Sequence, residues 1–342
     1  MKRWFCALLA IVFLWLLQAL LIPKYQEKNQ EGALISEYYA NAGDNDVIFI
    51  GDCEVYENFS PITLWEEYGI PSCIRGSPQQ MIWQSYYLME ETLRYETPKV
   101  MVFNVLSMQY DSPESTGNDT RREAYNRMTL DGMRWSSSKW KAILASMTEQ
   151  ERKWDGIATY LVPLLRYHDR WHQLTQEDFT YWHQRKTVSH NGYLMQTGIR
   201  PATEAYTQPP RADYRFGESA WRYLEKMRAL CEEQGVELVL IKSPSLYPVW
   251  WWEWDQQIEE YAQEKGLRYI NMLEYLEEIG IDWNTDTYDA GLHLNVYGAE
   301  KASHWLGKIL TEEYGLTSHK EDPLLKEQWE AKKERYDKEK KE

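Results

Sequence analysis

A cysteine directly after a Gly-Asp pair, and a histidine four residues after an aspartate, are where residue type and spacing in this chain suit chemistry. Gly51-Asp52-Cys53-Glu54 closes a short apolar run. A nucleophile there would sit on a turn from strand to helix, with its own backbone N–H available to a developing oxyanion. Asp289-Ala290-Gly291-Leu292-His293-Leu294-Asn295 precedes the last apolar-periodic stretch. A histidine with a nearby carboxylate suits a general base held in one tautomer. Gly76, in Ile74-Arg75-Gly76-Ser77, would let the backbone approach a ligand. Asn104 could point its amide into the same crevice. Asp52, Lys242 and Ser245 are expected to border it. Ser245 is a conceivable second nucleophile, although no glycine elbow precedes it. Taken singly, each of these has an ordinary structural reading as a turn residue, a buried thiol or a polar start to a helix.

The elements that must hold these residues follow from periodicity. Short β-branched runs predict strands at 46–51, 72–75, 99–104, 236–242 and 267–271. Helices are expected at 60–68, 77–95, 216–234, 252–266 and 296–314, two of them opened by Ser-Pro. Strands alternating with helices predict a parallel sheet covered on both faces, a three-layer αβα sandwich. Residues from about 110 to 214 break the alternation with Trp, Tyr, Arg and His, and with helical periodicity over 149–171. They are read as a helical insertion or cap. The whole α/β domain is expected over 46–317, after a polar linker at 24–45 and before a charged, solvated tail at 318–342.

Taken together and in chain order, these blocks resemble the SGNH/GDSL hydrolase family, whose sandwich is flavodoxin-like. The family's Gly-Asp-Ser block is matched by Gly51-Asp52-Cys53, its second-block glycine by Gly76, and its third-block asparagine by Asn104. Its Asp-x-x-His block is matched by the segment holding Asp289 and His293. His293-Leu-Asn-Val-Tyr-Gly-Ala-Glu-Lys301 is similar to the membrane-anchored cell-envelope members, and more distantly to DltD-type proteins of teichoic-acid systems. The resemblance covers 46–104 and 235–314 and leaves the insertion unmatched. It implies Cys53 as nucleophile, His293 as base, Asp289 as its orienting carboxylate, and an oxyanion hole from Cys53, Gly76 and Asn104.

Two departures matter. Cys53 stands where the family has serine, and Ala290 stands where it has aspartate, with Asp289 one residue farther from His293. Three readings of Cys53 follow: an active thiol, an inert residue in a site that binds without turnover, or one half of a disulfide with Cys73.

Composition sets the surroundings. Among 342 residues the formal net charge is −15, which argues against nucleic-acid binding. There are 17 Trp and 25 Tyr against 7 Phe, a bias that suits sugar grooves and membrane interfaces as well as cores. Four tryptophans fall within Trp250–Trp254, as groove, bilayer contact or packing under the insertion. Residues 1–23 read as a signal-anchor helix behind Lys2 and Arg3, with a cleaved signal peptide as the alternative. The positive-inside rule then puts the N-terminus in the cytoplasm and the domain outside. Tyr167–His172 reads as a polar helix face rather than a metal site, and no metal or cofactor is assigned. Arg121, Arg122, Arg127 and Arg134 could meet an anionic polymer.

The functional expectation is an extracytoplasmic esterase or acyltransferase. Its substrate would be acylated cell-envelope polysaccharide or glycan, with acetyl the first choice of acyl group. The alternatives are an inactive carbohydrate-binding or scaffold protein, or a partner subunit of a membrane acyltransferase.

Overall fold

The computed structural model describes residues 2–23, 33–116, 119–181, 183 and 186–342. Five short strands carry the architecture: β1 (Val47–Gly51), β2 (Ser72–Gly76), β3 (Val100–Asn104), β4 (Glu237–Lys242) and β5 (Arg268–Asn271). They form one sheet in the order β2-β1-β3-β4-β5, every pair parallel. Side chains alternate between its faces along each strand. Ile48, Ile50, Met101, Phe103, Leu238 and Leu240 enter one core, against the helices Ile82–Thr92 and Glu218–Gln234. Val47, Phe49, Val100, Val102, Val239 and Ile241 enter the other, against Pro61–Tyr68 and Val296–Tyr314. The chain is thus an α/β three-layer sandwich, as the strand–helix alternation predicts.

Order decides where a site can form. The chain moves outward from β1 to β2, then crosses back to β3 on the other side of β1. This reversal falls at the carboxyl ends of β1 and β3, the usual ligand position in doubly wound sheets. Gly51 and Asn104 end those two strands.

Two expectations about the segments flanking the sandwich need correction. Part of the expected linker is not linker: Leu34–Asn41 is a helix with Leu34, Ile35, Glu37 and Tyr38 buried. Leu34, Ile35 and Tyr38 make one apolar helix face among polar neighbours, a signal too short to stand out. The Glu37 carboxylate accepts from the Val188 and Ser189 amides at 2.6 and 3.1 Å, fastening the insertion's end. Residues 24–32 of that linker lie outside the described residues. The charged tail is also not simply solvated. Asp322 caps a helix over Pro323–Glu339. Trp329 and Tyr336, seven residues apart on one face, are buried, and Trp329 stacks on Trp65 at 5.2 Å. Counting charge along 318–342 hides these two rings.

The tryptophan stretch mostly packs. Trp254 is buried and stacks with Phe216 at 5.8 Å, Trp250 lies against Trp254, and Trp251 meets Tyr214 edge-on. Trp252 alone stands well out, 62% exposed. Of the four arginines, Arg122 and Arg127 are buried and paired with Glu151 and Asp131, so they are not a polymer-facing patch.

Candidate active site

The turn after β1 is built from glycine and an aspartate cap. A Cβ on Gly51 would lie 2.4 Å from Val55 Cγ2, and one on Gly76, its register partner, 3.1 Å from the Tyr56 ring. Only glycine lets the chain fold this tightly over the strand ends. Asp52 then caps the helical turn Cys53–Tyr56, its Oδ1 accepting from the Glu54 amide at 3.2 Å. Cys53 is the first residue of that turn, where backbone N–H groups have no carbonyl partner within the helix.

His293 comes from the loop before Val296–Tyr314. Ala290 and Gly291 both have positive φ, 68° and 96°. This left-handed pair absorbs the extra residue between Asp289 and His293 and folds the aspartate back. Its Oδ1 accepts from the His293 amide at 2.9 Å and its Oδ2 meets Nδ1 at 2.7 Å. Spacing alone put this contact in doubt, and the loop conformation makes it. The insertion's trailing segment braces the loop: Ala290 N donates to Arg200 O at 3.0 Å, Tyr206 Oη to Ala290 O at 2.9 Å, and Val296 N to Gln196 O at 2.8 Å.

Sequence reading missed a second carboxylate. Glu57, one helical turn after Cys53, lies 3.2 Å from His293 Nδ1 and accepts from Tyr288 Oη at 2.7 Å. The Tyr288 ring lies nearly parallel to the imidazole, 19° between planes. An i, i+4 relation to Cys53 on a helical turn is the only sequence signal that could have pointed to Glu57. Asn58 was also missed. Its Oδ1 accepts from Leu294 N at 2.8 Å while its Nδ2 donates to Ser243 Oγ and Pro244 O, tying the thiol's turn to the histidine's loop.

The remaining expected residues divide. Lys242 and Ser245 do not border open crevice: both are fully buried beneath the turn. The Lys242 ammonium donates to Glu54 Oε1 and Oε2 at 3.0 and 2.9 Å, and Ser245 Oγ to Oε1 at 2.5 Å. The reason is charge pairing: a buried Glu54 carboxylate at the strand ends draws in the nearest cation. Asn104 is buried as well, and its Nδ2 donates to Asp52 Oδ1 at 3.3 Å and Glu54 Oε2 at 3.0 Å. Both amide hydrogens are therefore spent on carboxylates in this state rather than offered to an oxyanion.

Protonation follows from these neighbours. Burial pushes the Cys53 thiol up to about 11, against the pull of His293's positive charge and hydrogen bond. Burial pulls His293 down, but the charges of Cys53 and Glu57 and the hydrogen bonds to Asp289 and Cys53 together hold it well above its usual value. Burial, then the Glu54 charge, pushes Asp52 up to about 7. With Nδ1 on the carboxylates, Nε2 is the nitrogen left to meet the thiol. All four cysteines are free thiols, and Cys73 sits inside β2 opposite Ile48, which removes the disulfide reading.

Glu57, Asp289 and His293 also form the one group among the described residues whose metal-ligand atoms lie within 4.8 Å of one another. Each already has a hydrogen-bond partner, so the set reads as orienting the imidazole. His168 and His172 are exposed and belong to no such group.

A raised thiol has a measurable consequence. Alkylation of Cys53 by iodoacetamide, followed by peptide mass, should quicken about tenfold per pH unit between about pH 7 and 9, because only thiolate reacts. A rate already flat over that range would mean a preformed thiolate and overturn this assignment.

No family model matches the chain, and no curated protein matches it. Among solved structures it is similar to a protein of Bacteroides fragilis assigned as an acylhydrolase, with 11% identity and a TM-score of 0.40, over 83% of this chain and 98% of that one. At that overlap the functional reading rests on this chain's own residues.

Proposed function

We propose that this protein is an extracytoplasmic acyl-transfer enzyme, an esterase or O-acyltransferase acting on acylated cell-envelope carbohydrate through a Cys53–His293–Asp289 site. The observation that carries the reading is the meeting of the Cys53 thiol with His293 at the sheet's reversal point, with Asp289 2.7 Å from Nδ1. In the first half-reaction His293 Nε2 takes the thiol proton as sulfur attacks the ester carbonyl. The Cys53 and Gly76 amides receive the oxyanion, each such donor contributing about 3 kcal/mol to lowering the barrier. Asn104 joins them only if it releases Asp52 or Glu54. The C–O bond then breaks, and the leaving alkoxide takes the proton from the imidazolium. In the second half-reaction water or a sugar hydroxyl attacks the thioester and regenerates the thiol.

Asp289 and Glu57 hold the imidazolium that forms. The productive state carries one proton shared between sulfur and nitrogen. It is lost in acid, as His293 becomes doubly protonated, and in strong alkali, as the pair loses its last proton. The acid limb of activity should therefore lie above the ordinary histidine value, and Glu57→Gln should move it to lower pH.

The test is an intact-mass experiment. Full-length protein in detergent, mixed with a chromogenic acetyl ester and quenched in acid, should carry one acetyl group on the peptide holding Cys53, with steady release of chromophore. Binding of glycan with neither release nor adduct would support the inactive alternative. That reading has its own observation: the raised thiol together with the occupied Asn104 amide.

A further inference from the structure

We infer that residues 154–180 form a lipid-facing platform that seats the globular body in the outer bilayer interface beside the anchor helix. The inference goes beyond the acyl-transfer reading and rests on Lys2–Leu21 crossing a bilayer. That helix is long and apolar enough to do so, with mean hydropathy 2.4 over its most apolar 18 residues.

The argument begins with how the anchor leaves the bilayer. Residues 2–16 of the helix are exposed, whereas 17–20 are half-covered and Leu21 is buried. The cover comes from the insertion. Leu164 N donates to Gln18 Oε1 at 3.3 Å, and Arg170 Nη1 donates to Leu21 O at 3.2 Å. Arg170 is itself held by Asp178 at 2.9 Å. The insertion therefore grips the anchor's last turn directly.

Length then fixes depth. The 15 bare residues span about 22 Å at 1.5 Å per residue. A hydrocarbon core of about 30 Å needs roughly 20 residues. The gripped turn must therefore lie within the apolar layer or at its edge, and the gripping segments must reach that depth.

Their surface suits it. The helix Trp154–Leu161 buries Ala158 and Tyr160 inward. Outward, Trp154 is 76% exposed, Leu165 54%, Trp171 69% and Phe179 59%, with Leu161 and Val162 beside them. Few soluble surfaces leave so many large apolar side chains in water within 26 residues, whereas Trp, Phe and Leu on short helices are what an interfacial segment presents to the headgroup–acyl boundary. Continuity with the gripped anchor turn makes lipid the occupant.

Full-length protein in phosphatidylcholine nanodiscs, doped with a phosphatidylcholine bearing a diazirine at the top of its acyl chain, tests this. After illumination, peptide mapping should find lipid adducts on 154–180 as well as on the anchor. Trp171→Glu with Phe179→Glu should lower the 154–180 adducts at least tenfold and leave the anchor adducts unchanged. Adducts on the anchor alone would overturn the platform and mean that a protein covers this face. Adducts on neither would overturn the anchoring reading, and the platform with it. Platform adducts that persist in the double variant would also overturn it.

Discussion

Cys53→Ala should lower turnover of a chromogenic acyl ester by about 10⁴-fold or more, and His293→Ala by a similar factor, with the double variant little worse than either. The reason is that sulfur and imidazole act as one unit. Without the base, a thiol pushed up to about 11 supplies almost no thiolate at neutral pH. Without sulfur, the imidazole has no proton to take. A factor of 10⁴ corresponds to about 5 kcal/mol of barrier. Asp289→Asn should cost less than in a site with a single carboxylate, because Glu57 still lies 3.2 Å from Nδ1 and favours the imidazolium. Cys53→Ser asks a separate question. A hydroxyl on a shorter bond stands back from the acyl carbon, and a misplacement of about 1 Å costs about a hundredfold. Initial rates with matched amounts of folded protein measure all five variants. If Cys53→Ala turns over at the parental rate, the thiol takes no part and the acyl-transfer reading fails. Multiplicative losses in the double variant would show that the two residues act apart.

What the sequence made legible, and what it hid, divides along a physical line. Strand positions were readable because runs such as Val47-Ile-Phe-Ile50 are β-branched and apolar on both faces, as a doubly covered parallel strand must be. The pairing of Cys53 with His293 came from the resemblance of their blocks to one hydrolase family: Cys53 follows the end of β1, but His293 lies in the loop before Val296–Tyr314, where no periodicity points to a partner. Glu57 was not legible, because a carboxylate in a helical turn looks like any solvated one until Tyr288 and His293 are seen folded against it. Lys242 and Asn104 misled for a related reason. A polar residue at a strand's end can face the crevice or the layer beneath, and the choice depends on a partner's charge. Here that partner is Glu54, whose burial recruited both. The helix Pro323–Glu339 was hidden by composition, since two aromatic residues decide its packing and the remainder decide its average.

The Glu54–Lys242 pair sets the other large effect. Lys242→Met should destabilise the fold by about 3–5 kcal/mol, because it leaves a carboxylate buried without its cation. The pair is fully enclosed, with side-chain exposures of 0% and 1%. The ammonium is saturated: besides both Glu54 oxygens it donates to Ser243 O at 2.6 Å and Ser245 Oγ at 3.0 Å. Each lost contact is one that water cannot replace at that depth. Adding Glu54→Gln to Lys242→Met should recover part of the loss, since no charge is stranded and the amide oxygen still accepts from Ser245, although the amide NH2 cannot accept from Asn104 as Oε2 does. Urea unfolding of the full chain in detergent, followed by tryptophan fluorescence, measures both, with the exposed Lys308→Met as reference. A Lys242→Met midpoint equal to the Lys308→Met midpoint would mean that the pair contributes nothing net. Activity should follow stability in one direction only. Loosening Glu54 loosens the turn that carries Cys53, so Lys242→Met should lose rate along with stability. Cys53→Ala removes only a half-buried sulfur at the end of that turn, and should lose rate while its unfolding midpoint barely moves. Equal loss of stability in both variants would erase the distinction between the thiol that reacts and the ion pair that holds it in place.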